Sequence, residues 1–483
     1  ILAQEWFSVA HSPTSMLSLA VAALSGLSPQ DFLITGLPGL QETVGFKQYS
    51  GYMPLGDKQG TEMFFWFVES QDSPATDPVA FWTNGGPGSS SLAYGFWTEH
   101  GPFRLGRDAN GKVAPQTYDY SWNKHASIVY LEMPSGVGFS RSKDSSAYVN
   151  VTDELSATQS HQFLVEFFKV FNTFKANEFY LTGESYGGHY VPNLAEKLLD
   201  APAGINMKGF LIGNPGINSD WYYNVNEYAF VTYMWSHGLI DAPRYFAAHK
   251  ACGWEDFFSN CEKDFTHPSA ECLAATTAAV KAVPEPLDLY DVLVPTCQSK
   301  VPRQDAHVPF IRHMAEKYGL SMGYDPCISE MTSEYIMQPE VLKAIHAIPD
   351  TGRVWPSTPK AWSYNQGSAG EKKNIAEIFP RFFKEAPHWT IWVVSGTADA
   401  AVPLLGTERW MECLKRPVKS EWAPWKLHGD VAGMVREWDR LSLVTVKGCG
   451  HTIPTYCPEA GYEFFANYLG QARNASVELQ VVI

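Results

Sequence analysis

Glu178-Phe-Tyr-Leu-Thr-Gly-Glu-Ser-Tyr-Gly-Gly-His-Tyr-Val-Pro-Asn-Leu-Ala-Glu-Lys-Leu-Leu199 decides how the rest of the chain is read. Phe179 to Thr182 is a short apolar run of strand-forming residues. Gly183 to Gly187 spells Gly-x-Ser-x-Gly, and Val191, Leu194, Ala195, Leu198 and Leu199 then recur at helical spacing. Strand, tight turn and helix form the context in which that pattern reads as a nucleophile elbow rather than an ordinary loop serine. The turn is sharp, so its flanks have to be small, which Gly183, Gly187 and Gly188 supply. Ser185 is thereby presented to a base. The N–H groups opening the helix face charge that develops on a substrate oxygen.

Outward from the elbow, short apolar runs alternate with helical spacing. Phe64–Val68, Pro78–Thr83, Ser127–Leu131, Lys208–Gly213, Thr390–Val394 and Leu441–Val446 read as strands, and Glu154–Phe168 as a helix. The expected fold class is α/β, a mostly parallel sheet covered on both faces. Between about Pro215 and Ser333 the strand rhythm stops. Aromatic helical segments, prolines and clustered cysteines replace it. The expected organisation is therefore a first core part (31–215), a mainly helical insertion or cap (216–333), a second core part (334–475) and a tail (476–483). Residues 1–30 are read as a signal-peptide remnant or a disordered start. Met16–Leu24 resembles a signal-peptide apolar region followed by the small-residue site Ala23-x-Ser25.

Composition narrows the class. The formal net charge of −15 in 483 residues argues against nucleic acid or an anionic membrane surface as partner, and the 14 % aromatic content suggests a tightly packed, aromatic-lined protein. No apolar run reaches the length of a membrane span. Cys252, Cys261, Cys272 and Cys297 cluster in the insertion, and sequons stand at Asn150-Val-Thr and Asn474-Ala-Ser. Together they favour an oxidising, secretory route, with Asn150 and Asn474 as candidate glycan sites. Among the pairings open to the four cysteines, the nested Cys261–Cys272 inside Cys252–Cys297 is the expectation. No metal or cofactor is implied, because no ligand cluster has zinc spacing. Oligomeric state, a homodimer included, stays open.

A serine nucleophile needs a base and a group to orient it. In elbow folds the chain order is Ser, acid, His. Two later strand ends fit: Val394-Ser-Gly-Thr-Ala-Asp399 and Val446-Lys-Gly-Cys-Gly-His451. Strand-end loops on the carboxyl edge of one sheet converge in space. Ser185, Asp399 and His451 are accordingly the candidate triad. Asn84-Gly-Gly-Pro-Gly88 also follows a strand, where the other half of an oxyanion hole belongs.

Asn84-Gly-Gly-Pro-Gly-x-Ser-Ser-Leu92, Glu99-His-Gly-Pro-Phe103, Pro134-Ser-Gly-Val-Gly-Phe-Ser140, Gly183-Glu-Ser-Tyr-Gly-Gly-His-Tyr-Val-Pro192 and Gly450-His-x-x-Pro454 resemble the motifs of serine carboxypeptidases. These are α/β-hydrolase-fold exopeptidases of vacuoles, lysosomes and secretions. The resemblance runs from about Leu37 to Leu469. It implies a peptide or protein substrate with a free C-terminus and activity favoured by acid pH. It further implies an oxyanion hole from the N–H groups of Gly86 and Tyr186. The substrate carboxylate would bind at Asn84, the Gly85 N–H, Glu99 and Glu184. Tyr94 and Thr452 would line the adjoining pocket. Plant relatives on the same scaffold transfer acyl groups to hydroxyl acceptors. They commonly change the Asn of the glycine loop and the Glu before the nucleophile, and this chain retains both. A third reading is a binding glycoprotein that does not use its triad. The intact Ser, Asp and His set argues against that.

The chain departs from the family at several positions. Ser89 stands where the family has a Cys, which leaves Cys327 of Tyr324-Asp-Pro-Cys327 without its usual partner. Cys413, Cys449 and Cys457 lie outside the family pattern, and Thr397 and Thr452 replace commoner residues.

Overall fold

The computed structural model describes residues 26–108, 110–217, 225–261, 268–296, 322–323, 328–349, 354–365 and 374–473. A ten-stranded sheet runs through it. Its strands are β1 (Gln48–Pro54), β2 (Glu62–Val68), β3 (Val79–Thr83), β6 (Ser127–Leu131), β7 (Phe179–Glu184), β8 (Met207–Gly213), β11 (Thr390–Gly396), β12 (Val418–Leu427), β13 (Asp430–Trp438) and β14 (Leu441–Val446). β4 (Phe103–Arg107) and β5 (Val113–Thr117) form a separate hairpin. β9 (Leu287–Asp288) and β10 (Met322–Gly323) form a short parallel pair. The sheet order is β1-β2-β6-β3-β7-β8-β11-β14-β13-β12. From β6 to β14 all neighbours are parallel, and antiparallel strands close both edges. This is the α/β-hydrolase arrangement the resemblance implies.

The apolar strands are buried on both faces, and their alternation sorts side chains into two cores. Phe65, Phe67, Phe81, Val129, Leu181, Val393 and Leu443 point into one. Phe64, Trp66, Trp82, Tyr130, Tyr180, Trp392 and Val444 point into the other. Helices Asp153–Val170 and Gly187–Asp200 close the first through Phe163, Phe167, Val191 and Leu194. Helix Pro458–Arg473 closes the second through Phe464, Phe465 and Tyr468. Burying one such side chain stabilises by roughly 1.5–3 kcal/mol, so the two layers hold the parallel strands at a fixed height.

Helices Val225–Ser236, Ala242–Cys252 and Ala270–Val280 form a third apolar cluster around Phe230, Met234, Tyr245, Trp254 and Ala279. Ala400 and Ala401, directly after Asp399, belong to the same cluster. The expected nested pairing of the cysteines here is wrong. Cys252 bonds Cys272, and Cys261 bonds Cys413 across 152 residues. Cys252 ends one cap helix and Cys272 lies in the first turn of the next, with their Cα atoms 4.7 Å apart. Cys261 is carried away from them because Phe257 and Asn260 dock on the core helix Leu404–Cys413, where Arg409 donates to the Phe257 carbonyl at 2.9 Å. Cys449 bonds Cys457. Cys297 and Cys327 lie outside the described residues, as do residues 1–25 and the Asn474 sequon. Among the described residues, no helix is long and apolar enough to cross a membrane.

Candidate active site

All five loops of interest leave the carboxyl ends of neighbouring parallel strands: Asn84 after β3, Ser185 after β7, Asn214 after β8, Asp399 after β11 and His451 after β14. Parallel pairing alone brings these ends to one edge of the sheet.

At the elbow Ser185 has φ 59°, a left-handed conformation that costs a non-glycine residue about 1 kcal/mol or more. The turn is held because the Ser185 N–H donates to the Gly213 carbonyl at 2.9 Å. The Ser185 carbonyl in turn accepts from the N–H groups of Gly188 and Gly216, each at 2.9 Å. Glycine is required at two flanking points. A Cβ on Gly188 would lie 2.3 Å from the Gly216 carbonyl oxygen, and one on Gly85 would lie 2.2 Å from the Tyr186 nitrogen. The second figure places the glycine loop directly against the start of the elbow helix.

His451 Nδ1 is 2.6 Å from Asp399 Oδ2, with both side chains buried. Asp399 Oδ2 also accepts from Asn214 Nδ2 at 2.6 Å, and its Oδ1 accepts from the N–H groups of Ala401 and Val402. A carboxylate holding four partners cannot rotate, so the imidazole orientation is set. The two loops are tied again where Thr397 Oγ1 accepts from Gly448 N–H at 2.8 Å. The cap contributes as well. The His451 N–H donates to the Tyr290 carbonyl at 2.7 Å, and the rings of Tyr290 and His451 are 4.8 Å apart.

These residues open on a cavity of about 390 Å³, part of it exposed to solvent. It is lined by Asn84, Gly85, Gly86, Ser89, Tyr94, Glu184, Ser185, Tyr290, His451 and Thr452. In its wall the Asn84 amide bridges two carboxyl groups, donating from Nδ2 to Glu99 Oε1 and to Glu184 Oε1, each at 2.8 Å. The amide cannot flip, because its Oδ1 accepts from Trp82 Nε1 at 2.7 Å and from the Gly95 N–H at 3.0 Å. Glu99 and Glu184 are both buried. Burial raises Glu99 to about 7, against the lowering effects of Asn84, of the shared hydrogen bond with Glu184 and of nearby Arg104. Glu184 is raised well above the ordinary carboxyl range, first by burial and then by Glu99 itself. Two carboxyl groups this close keep a proton between them at neutral pH.

A serine carboxypeptidase family model matches residues 38–471. The chain belongs to the serine carboxypeptidase family. Serine carboxypeptidase-like 26 of Arabidopsis thaliana is 36 % identical over 441 residues, covering 90 % of this chain and 91 % of the relative. Serine carboxypeptidase-like 31 of the same plant is 33 % identical over 467 residues, covering 92 % and 89 %. A prohormone-processing carboxypeptidase from Saccharomyces cerevisiae superposes with a TM-score of 0.69 at 20 % identity, over 92 % of this chain and 96 % of that one. That likeness supports the α/β-hydrolase fold. Family membership makes this serine carboxypeptidase relative a hydrolase-type enzyme.

Of the expected site residues, Ser185, His451, Asn84, Gly85, Gly86, Glu184, Tyr94 and Thr452 line the cavity, and Tyr186 is buried directly after Ser185. Asp399 and Glu99 stand behind it, bonded to His451 and Asn84. Asn150 is remote and exposed on the surface. Sequence reading passed over Trp82, Asn214, Tyr290 and Arg104. Asn214 carried a signal: it ends a strand in Gly213-Asn-Pro-Gly216 and has φ 41°, a region Asn tolerates. Tyr290 carried none, since it reaches the cavity only through the docking of the cap.

Proposed function

We propose that this chain is a serine-type carboxypeptidase, releasing the C-terminal residue of peptides through an acyl-enzyme at acid pH. Ser185 Oγ attacks the carbonyl of the last peptide bond, and its proton passes to His451. With Nδ1 committed to Asp399, Nε2 is the nitrogen that takes it. Charge on the carbonyl oxygen is met by the N–H groups of Gly86 and Tyr186. The C–N bond then breaks, the leaving amine takes the proton from His451, and water repeats the sequence to free Ser185.

The observation that carries this reading is the Asn84 bridge. It holds a protonated pair, Glu99 and Glu184, beside the nucleophile. A carboxyl group that keeps its proton can donate to a carboxylate, which is the group that distinguishes a peptide end from any internal bond. Tyr94, Tyr290 and Thr452 line the space left for the departing side chain. The three disulfides among the described residues support a secretory route, with a vacuolar, lysosomal or extracellular destination. Asn150, exposed beside the N-cap Thr152, is the proposed glycan site.

The test is hydrolysis of blocked dipeptides with free and amidated C-termini, run with and without a hydroxyl acceptor. Cleavage restricted to the free acid supports the proposal. Products found only as acyl esters of the acceptor would instead make the chain an acyltransferase.

A further inference from the structure

A second buried Asp–His pair, separate from Asp399 and His451, lies beside the elbow. Asp153 Oδ2 is 2.9 Å from His189 Nδ1. Asp153 Oδ1 accepts from the hydroxyl groups of Tyr186 at 3.0 Å and Tyr364 at 2.6 Å. Burial alone would raise the Asp153 carboxyl, yet His189 and the two phenols hold it below its ordinary value, so it is ionised. None of these side chains has a part in the acyl-transfer steps above.

What the network grips is Tyr186, the residue directly after the nucleophile. Tyr186, His189 and Tyr190 share one face of the elbow helix, at the spacing that stacks successive turns. The His189 ring lies flat on the Tyr186 ring, with centroids 4.4 Å apart and planes 7° from parallel. Tyr190 and Tyr364 meet the same ring edge-on at 5.2 and 5.6 Å. The Tyr190 hydroxyl accepts from the Gly88 N–H at 3.3 Å, which joins the glycine loop to the same unit. Both halves of the proposed oxyanion hole are thus anchored to one buried cluster. The left-handed φ of Ser185 persists only because its surroundings hold it, and the hydroxyl, face and edges of the next side chain are part of that hold.

We propose that Asp153 and His189 are positioning residues, which through the Tyr186 side chain hold the Tyr186 N–H in its aim at the oxyanion. The inference rests on the reading of Ser185 as the nucleophile. Removing an oxyanion donor outright costs about 10²–10³ in kcat, which sets the ceiling for misaiming one.

The test compares Tyr186→Phe, which deletes one hydroxyl and keeps the ring, with Asp153→Asn. A fluorophosphonate serves as the probe. Its P–F bond breaks as the Ser185 Oγ–P bond forms, fluoride leaves, the serine proton goes to His451, and the phosphoryl oxygen occupies the oxyanion position. Rates are expressed per titratable site, so partial unfolding drops out. The expected result is a roughly tenfold slower phosphonylation and kcat for Tyr186→Phe, and about 10²-fold for Asp153→Asn, with KM for a blocked dipeptide within about twofold. If Asp153→Asn does not fold, Tyr186→Phe decides alone. Wild-type per-site rates in the variants, whatever their melting temperature, would reduce the network to a structural role and overturn the proposal. So would a rise in KM alone. A wild-type chain that takes no label overturns the Ser185 reading and this inference with it.

Discussion

The charge state of the Glu99–Glu184 pair makes a quantitative prediction about pH. Glu99 moves from an ordinary 4.5 to about 7 on burial, which corresponds to about 3 kcal/mol in favour of the protonated form. Glu184 lies higher still. Below pH 7 both carboxyl groups therefore carry protons that a substrate carboxylate can accept. Above it Glu99 ionises while Glu184 keeps its proton, so a negative charge faces that carboxylate as well. If binding requires the protonated pair, the dissociation constant grows as one plus ten to the power of pH minus 7. That is about a tenfold weakening between pH 5 and pH 8. Binding above pH 7 should also take up a proton. The assay is calorimetric titration of Ser185→Ala with a blocked dipeptide, in buffers of different ionisation enthalpy, so that KM is not confounded with chemistry. The same peptide amidated at its C-terminus should show no such trend. Glu99→Gln/Glu184→Gln, which donates at every pH, should flatten the curve. An affinity independent of pH from about 5 to about 8 in an enzyme with intact carboxyl groups would refute the carboxyl-pair mechanism, whatever the role of Ser185.

Other expectations follow from single features. Ser185→Ala should lose roughly 10⁴-fold or more in kcat with its melting temperature unchanged, measured on a blocked dipeptide and by calorimetry. Ser185→Gly should be equally inactive yet about 1 kcal/mol more stable than Ser185→Ala in denaturant titration, because glycine relieves the strain at φ 59°. Gly85→Ala should abolish activity, since its methyl would press on the Tyr186 nitrogen; wild-type kcat in that variant would contradict the packing of the glycine loop. Because Glu99 and Glu184 are raised in the fold, the native state binds more protons than the unfolded chain between about pH 4.5 and 7. Stability should therefore fall as pH rises through that window, and fall less in the double Gln variant. Non-reducing peptide maps should return Cys252–Cys272, Cys261–Cys413 and Cys449–Cys457; a Cys261–Cys272 peptide would contradict the docking of the cap on helix Leu404–Cys413.

The elements legible in the sequence are those whose signal is local. Ser127–Leu131 and Leu441–Val446 are strands within the bounds read from their apolar runs, because a strand buried on both faces is apolar at most positions. The same holds for the elbow, where small residues are demanded within a few positions of Ser185. Asp399 and His451 were legible because each follows such a strand, and parallel strands deliver their ends to one edge. β12, at the sheet edge, and β13 beside it escaped notice: they are half-exposed, with Lys, Ser, Glu and Arg among their residues, so no apolar period marks them. The partner of Cys261 depended on where the cap comes to rest, which the neighbouring sequence does not encode. Tyr290 entered the site the same way, through backbone bonds between segments far apart in the chain. The protonation of Glu99 and Glu184 belongs to the fold alone. As residues they are ordinary acids; only desolvation and a shared amide 100 positions from Glu184 keep a proton between them.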